Sequence, residues 1–206
     1  MVKTLGKFGL LLLGVCLLSA APVFADSTTT FTFIGTLGNI GTSDTFTSGS
    51  LSLVATGYSA PGTTADMWAK NLGPDEAGLG LAMGSTGTHE ISGTGFIQLN
   101  LTQILAASPS GVSISLGSIQ TGDTYDVWGS NTAGTLGTLL AANQKGLSLP
   151  LADLGTFTYI SISAPTGDVL LDDVEVTTPE PNSATLLLFG LMAFFGVGTL
   201  AKKLFV

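Results

Sequence analysis

The sequence predicts an all-β protein, an antiparallel jelly-roll-like β-sandwich flanked by an N-terminal signal peptide and a C-terminal transmembrane helix. Three observations predict this organisation. Short segments of alternating apolar and polar residues fill the chain from 26 to 178, turn-forming groups separate those segments, and both ends of the chain are apolar runs accompanied by lysines. We therefore divide the 206 residues into a signal peptide (1–25), a β-sandwich domain (26–178) and a C-terminal segment (179–206).

The N-terminal segment has the organisation of a secretory signal peptide. Two lysines within the first seven residues precede an apolar run at 8–18, and Val23 and Ala25 occupy the −3 and −1 positions of a cleavage site between Ala25 and Asp26. The run is shorter than the about 20 residues of a membrane span, which disfavours a retained anchor. Cleavage by signal peptidase removes the sole cysteine, Cys16, and leaves no thiol in the mature chain. A lipidated Cys16 is disfavoured because a bulky residue precedes it.

The central domain shows the period-2 alternation of half-buried strands. Roughly nine such segments, separated by Gly, Pro, Asn and Ser groups, favour two packed antiparallel sheets over a helical fold. The best helical candidate, 101–107, is cut off by Pro109. The predicted strands lie around Phe31–Phe33, Leu51–Ala55, Leu79–Met83, Ile97–Leu101, Val112–Leu116, Tyr125–Val127, Ile160–Ala164 and Val169–Val176.

The charge of the central domain limits its partners. Thirteen Asp and Glu residues stand against Lys70 and Lys145, a formal net charge of −11, and the whole sequence lacks arginine. Nucleic acid is excluded as a partner because its binding depends on Lys and Arg contacts to phosphates. The acidity indicates a well-solvated exported surface, with cation binding as the alternative.

The C-terminal segment combines a rigid tripeptide, an apolar run and a basic end. Pro179-Glu180-Pro181 precedes uncharged residues 184–201, which span about 27 Å as a helix, close to the thickness of a hydrocarbon core. Lys202 and Lys203 follow and predict that this end stays in the cytoplasm, with the central domain on the other side of the membrane. The prolines hold the tripeptide extended and accessible to a protease.

This order of features resembles the PEP-CTERM sorting signal over residues 179–206, and Pro179-Glu180-Pro181 matches its namesake tripeptide. The resemblance implies a Gram-negative source that makes exopolysaccharide, and an exosortase, a membrane transpeptidase-like enzyme, that cuts near the tripeptide. It further implies an inner-membrane-tethered intermediate with its domain in the periplasm, followed by release or attachment at the cell surface or in the extracellular matrix. The alternative is a plain tail-anchored adhesin with a stiff proline linker.

Part of the central domain resembles domains found in other exported proteins of the PEP-CTERM type. The matching segments are Gly78-Leu79-Gly80, His89-Glu90-Ile91, Phe96 to Leu101 and Asp168 to Asp172. Because most such domains have no assigned activity, this resemblance supports the β-sandwich more than any particular function.

Catalytic motifs are scarce in the sequence. His89 is the only histidine, no Gly-x-Ser-x-Gly elbow is present, and one histidine without a mature cysteine does not make a zinc site. The acid pairs Asp75-Glu76 and Asp172-Asp173 are neighbours whose side chains point to opposite faces of a strand. We therefore predict a non-enzymatic protein without a cofactor, and keep a carbohydrate-active hydrolase as the alternative.

The last strand suggests a calcium site. Uninterrupted alternation puts Asp172 on the same inward face as Leu170 and Val174, and an inward carboxylate is costly unless it is paired, protonated or bound to a cation. Calcium accepts carboxylate and carbonyl oxygens, so Glu90, Asp172 and Asp173 are the predicted ligands. The alternative is an edge-strand device or a β-bulge that turns Asp172 to solvent.

Two tryptophans are candidates for contact with carbohydrate. Flat aromatic faces pack on pyranose rings, and alternation allows Trp128 to point outward. Trp68 and Trp128 are therefore predicted to form a sugar-stacking platform, with core covering as the alternative reading. The combined prediction is an exported, non-enzymatic surface protein associated with extracellular polysaccharide.

Overall fold

The computed structural model describes residues 26–83, 87–146, 148–151 and 157–179. The predicted signal peptide with Ala25, the predicted helix at 184–201, and Glu180, Pro181, Lys202 and Lys203 lie outside the described residues. Within the described ranges, no helix is long and apolar enough to cross a membrane.

Strands account for most of the described chain. One short helix, α1 (Thr102–Ala106), buries Ile104 and ends before Pro109, as the sequence predicts. The strands of the described ranges are β1 (Asp26–Thr32), β2 (Gly38–Gly41), β3 (Ser43–Ser48), β4 (Leu51–Ala60), β5 (Thr63–Thr64), β6 (Met67–Asn71), β7 (Ala77–Leu81), β8 (Ile91–Ser92), β9 (Phe96–Asn100), β10 (Gly111–Gly117), β11 (Thr124–Ser130), β12 (Thr138–Gln144), β13 (Ser148–Leu151), β14 (Tyr159–Thr166) and β15 (Asp168–Pro179).

These strands form two antiparallel sheets. The first sheet has the order β13-β10-β15-β7-β6-β2, with β1 and β8 also pairing with β15. The second has the order β12-β11-β14-β9-β4-β3, with β5 pairing with β4. The predicted all-β, sandwich-like class is confirmed.

The core lies between the inner faces of the two sheets. Alternate residues of facing strands are fully buried, for example Leu79 and Leu81 in β7 of the first sheet and Ile97 and Leu99 in β9 of the second. Each fully buried side chain of this size stabilises the fold by about 1.5–3 kcal/mol. The period-2 pattern therefore identified the main core strands, such as β7 and β9, because it records which side chains leave water.

A β-bulge interrupts β15 and overturns one prediction. Ser115 of β10 pairs with Asp173, and Leu116 pairs with Leu171, so Asp172 is the extra residue between two registers. Leu171 packs in the core before the bulge and Val174 after it. The prediction that Asp172 shares the inward face of Leu170, Val174 and Val176 is wrong, because the bulge changes the phase of the alternation. Asp172 is half-buried at the edge of a cavity instead.

A loop lies across the outer face of β7, and two glycines make room for backbone there. We call residues 87–90 the crossing segment. A Cβ on Gly80 would lie 2.0 Å from the carbonyl oxygen of His89, and one on Gly78 would lie 2.5 Å from that of Leu171 in β15. Only glycine permits such close packing, which gives a physical reason for the Gly78-Leu79-Gly80 motif. After the crossing segment, Ile91 enters the core and pairs with Val169 of β15.

Candidate functional site

An open groove of about 470 Å³ lies on the outer face of the first sheet around Trp68. In β6, Met67 and Ala69 are buried in the core, so Trp68 and Lys70 alternate to the outer face. The crossing segment closes one side of the groove. The lining residues are Leu37, Gly38, Trp68, Ala69, Lys70, Asn71, Leu72, Gly87, Thr88 and His89.

The Trp68 indole is held in place by His89. The two rings stack with centroids 3.9 Å apart and planes inclined by 8°. His89 reaches this position with a φ of 56°, in the left-handed region that non-glycine residues rarely occupy, while its carbonyl packs over Gly80. The Nδ1 atom of His89 is buried without a hydrogen-bond partner. The wall of the groove therefore contains both a residue with a strained backbone and a buried nitrogen without a hydrogen-bond partner.

A charged cluster fastens the crossing segment to the sheet beside this groove. Lys70 Nζ contacts the Glu90 carboxylate and lies 2.6 Å from Glu76 Oε2. Ser118 Oγ is 2.9 Å from a Glu76 oxygen and 3.1 Å from a Glu90 oxygen. Glu90 is almost completely buried, at 4% exposure. The cluster therefore ties β6, the start of β7, the crossing segment and the end of β10 together.

The pKa values of the cluster follow from burial and pairing. Burial raises the pKa of Glu90 despite the opposing effect of Lys70, and the charge of Asp168 adds to the rise. The hydrogen bond from Lys70 lowers the pKa of Glu76. Burial opposes the charge on Lys70, but its bonds to Glu76 and Glu90 outweigh burial and raise its pKa. Lys70 is therefore a charged group already neutralised by its neighbours.

An acidic cavity of about 410 Å³ lies on the other side of the charged cluster. Burial and the nearby charge of Asp173 raise the pKa of Asp172, and Asp173 Oδ1 is buried without a hydrogen-bond partner. The cavity is lined by Pro74, Asp75, Glu76, Ser115, Leu116, Gly117, Ser118, Ile119, Gln120, Asp172 and Asp173.

The predicted calcium ligands are not gathered around one point. Asp172 and Asp173 line the acidic cavity, whereas Glu90 is engaged by Lys70 and Ser118 and does not line it. Among the described residues, no group of three or more His, Cys, Asp or Glu side chains is arranged to hold a metal ion. Sequence spacing could not show that the Glu90 carboxylate is paired with the ammonium group of Lys70, because the two residues are 20 positions apart in the chain.

The two tryptophans lie on different sheets and do not form one platform. Trp68 belongs to β6 of the first sheet and Trp128 to β11 of the second. The indole Nε1 of Trp128 donates a hydrogen bond to Ser163 Oγ at 3.0 Å. Both side chains are partly buried, and neither belongs to the core cluster.

Sequence reasoning missed several residues of the groove and the charged cluster, mainly Lys70, Leu37, Leu72 and Ser118. No strand is predicted around Lys70, although it lies two residues after Trp68 and, in β6, shares its outer face. Leu37, Leu72 and Ser118 lie outside the strands, in connections whose positions depend on the fold.

No family model, curated protein or solved structure matches this chain. What the site can do therefore follows from its own chemistry. The groove combines an aromatic side chain with amide and hydroxyl groups. The acidic cavity combines carboxylates without an aromatic lining residue.

Proposed function

We propose that this chain is an exported, non-enzymatic envelope protein whose β-sandwich domain binds extracellular polysaccharide through the Trp68 groove. The observation that carries the proposal is the partly exposed Trp68 indole, stacked against His89 in an open groove of about 470 Å³. The groove falls within the usual size of ligand sites, which are mostly apolar with a few placed polar groups.

The lining matches the two-sided chemistry of a sugar ring. The CH face of a pyranose is apolar and packs on a flat aromatic side chain, while its hydroxyl rim needs donors and acceptors. Asn71 can donate and accept through its amide, and Thr88 through its hydroxyl. His89 keeps Trp68 in one orientation, which reduces the conformational entropy lost when a ligand binds.

The proposal of export and sorting rests on the two ends of the sequence. The described chain forms one compact unit, Ser27–Thr178, which falls between the predicted signal peptidase site at Ala25 and Asp26 and the predicted exosortase site at Pro179-Glu180-Pro181. From β9 to β15 the chain repeatedly passes between the two sheets, which supports a jelly-roll topology.

The acidic cavity favours a second candidate, a carbohydrate-active hydrolase. Glu76 and Asp172 both line it, and their pKa values are shifted in opposite directions, as in an acid and base pair. This candidate predicts release of reducing sugar from polysaccharide by the mature protein, and loss of that activity in both Glu76→Gln and Asp172→Asn. Unchanged polysaccharide chains after long incubation would remove it.

Binding can be tested with two matched tryptophan variants. We expect Trp68→Ala to abolish pull-down of the mature protein by exopolysaccharide, because the groove loses the aromatic surface on which a sugar ring would stack. Trp128→Ala is the control, since it removes an outward tryptophan from the other sheet. Equal retention of Trp68→Ala and the wild type on the polysaccharide would contradict the proposed site.

Mass spectrometry of the mature protein tests export and sorting. We expect an N-terminus at Asp26 and a C-terminus near Pro179-Glu180-Pro181. An intact C-terminus ending at Val206 would favour the tail-anchored adhesin, and a retained Met1 would contradict the signal peptide.

A further inference from the structure

We infer that the Trp68 groove selects uncharged glycans and rejects polysaccharides rich in uronate, sulfate or other anionic groups. This inference rests on the proposed function and names the substrate class of the same site. It follows from the exposed apolar side chains of the groove, and from the pairing of Lys70 with Glu76 and Glu90.

The groove has an unusual concentration of exposed apolar side chains. Three large apolar residues of the described chain are exposed, and two of them, Leu37 at 56% and Leu72 at 77%, line this groove together with Trp68. Exposed apolar groups that cluster around a groove are typical of binding sites. They can pack against the CH surfaces of a neutral pyranose chain, but they offer no positive charge to a carboxylate.

The positive charge of Lys70, the lysine of the groove, is already paired with two carboxylates. Lys70 contacts Glu90 and lies 2.6 Å from Glu76, and its side chain is only 13% exposed. An anionic sugar that recruited Lys70 would have to displace these carboxylates. Glu90, with a side chain 3% exposed, would then be left buried without its cation, which costs far more than an exposed ion pair returns.

No other lysine of the domain compensates. Lys145 follows β12, at the edge of the second sheet, whereas the groove lies on the first. Between Asp26 and Thr178 the formal net charge is −11 and arginine is absent. A polyanion approaching this surface is therefore repelled, and at physiological salt the repulsion acts over about 8 Å.

The experiment compares neutral and anionic glycans on the mature protein. Immobilised dextran, mannan and β-glucan represent the neutral class, and alginate and polygalacturonate the anionic class. We expect the wild type to bind at least one neutral glycan more than tenfold better than either anionic one, and Trp68→Ala to lose that binding while Trp128→Ala keeps it.

A charge variant tests the reason for the selectivity. Glu76 is the more exposed partner of Lys70, at 35%, so Glu76→Gln keeps the shape of the cluster and frees part of the lysine charge. We expect Glu76→Gln to improve binding to alginate by about twofold to fivefold, an effect that added salt removes.

The outcomes separate the inference from the proposed function. Binding to none of the glycans would overturn the proposed function itself. Binding to alginate as strong as to neutral glycans, lost in Trp68→Ala, would leave the function standing and overturn the selectivity. Neutral binding that survives Trp68→Ala would show that the groove is not the site and would overturn both.

Discussion

Replacing Gly80 with alanine should destabilise the domain through the crossing segment. The new Cβ would lie 2.0 Å from the His89 carbonyl oxygen, 2.8 Å from its carbonyl carbon and 2.7 Å from Glu90 Cα. These are all backbone atoms, so no side chain can rotate to relieve the clash, and the segment must lift by about 1 Å or more to reach ordinary contact. Overpacking of this kind costs about 1–3 kcal/mol.

Lifting the segment should also disturb the groove. The Trp68 and His89 rings stack at 3.9 Å, and Glu90 is bound to Lys70, so both contacts move with the backbone that the alanine displaces. Taking about 2 kcal/mol as the centre of the range, the midpoint of thermal unfolding should fall by roughly 4–8 °C for a domain of this size.

The assay is thermal unfolding of the mature protein, followed by circular dichroism and by tryptophan fluorescence. Gly35→Ala is the matched control, because a Cβ there meets no atom within 4 Å. We expect Gly35→Ala to stay within about 0.5 kcal/mol of the wild type. If Gly80→Ala unfolds at the same temperature as Gly35→Ala, the close approach of the crossing segment to β7 is refuted.

Two further predictions concern the charged groups. Lys70→Met should cost about 3–5 kcal/mol in urea unfolding, because it leaves Glu90 buried without its cation, and the double variant Lys70→Met with Glu90→Leu should recover most of that loss; a single-variant cost below 1 kcal/mol would contradict the buried pair. Burial and Asp173 raise the folded-state pKa of Asp172 above 3.8, so its contribution is complete at low pH and is lost as pH rises through the folded pKa. Asp172→Asn should therefore be more stable than the wild type at pH 7, by less than about 1 kcal/mol, and the difference should vanish near pH 3; an equal difference at both pH values would contradict the assignment.

Three of the sequence segments that resemble other exported domains lie close together in the first sheet. The glycines of Gly78-Leu79-Gly80 leave space on β7 for the backbone of His89 and Glu90, which pass over it. Ile91 then enters the core, and the start of β15 at Asp168 pairs with β8. Three segments that are distant in the sequence thus meet in the first sheet, and His89 among them lines the groove. Their joint presence is what a shared close packing requires.

The strands with clear alternation could be predicted from the sequence because alternation is a local property, whereas β2, β3, β5, β6, β8, β12 and β13 were not predicted. A residue such as Ile114 or Ile162 is apolar between polar neighbours wherever the strand lies, since one face of each sheet must leave water. The scarcity of catalytic motifs, the acidic balance and the two apolar ends are equally local, and they predict an exported, non-enzymatic protein.

Only the tertiary structure decided where functional side chains meet. The bulge at Asp172 depends on the partner strand β10, so alternation along β15 alone put that carboxylate on the wrong face. The pairing of Lys70 with Glu90, the stacking of Trp68 on His89 and the separation of Trp68 from Trp128 all depend on which strands become neighbours. The hydrophobic pattern records whether a side chain is buried, but contacts between distant residues are set by sheet order and loop path, which the pattern does not contain.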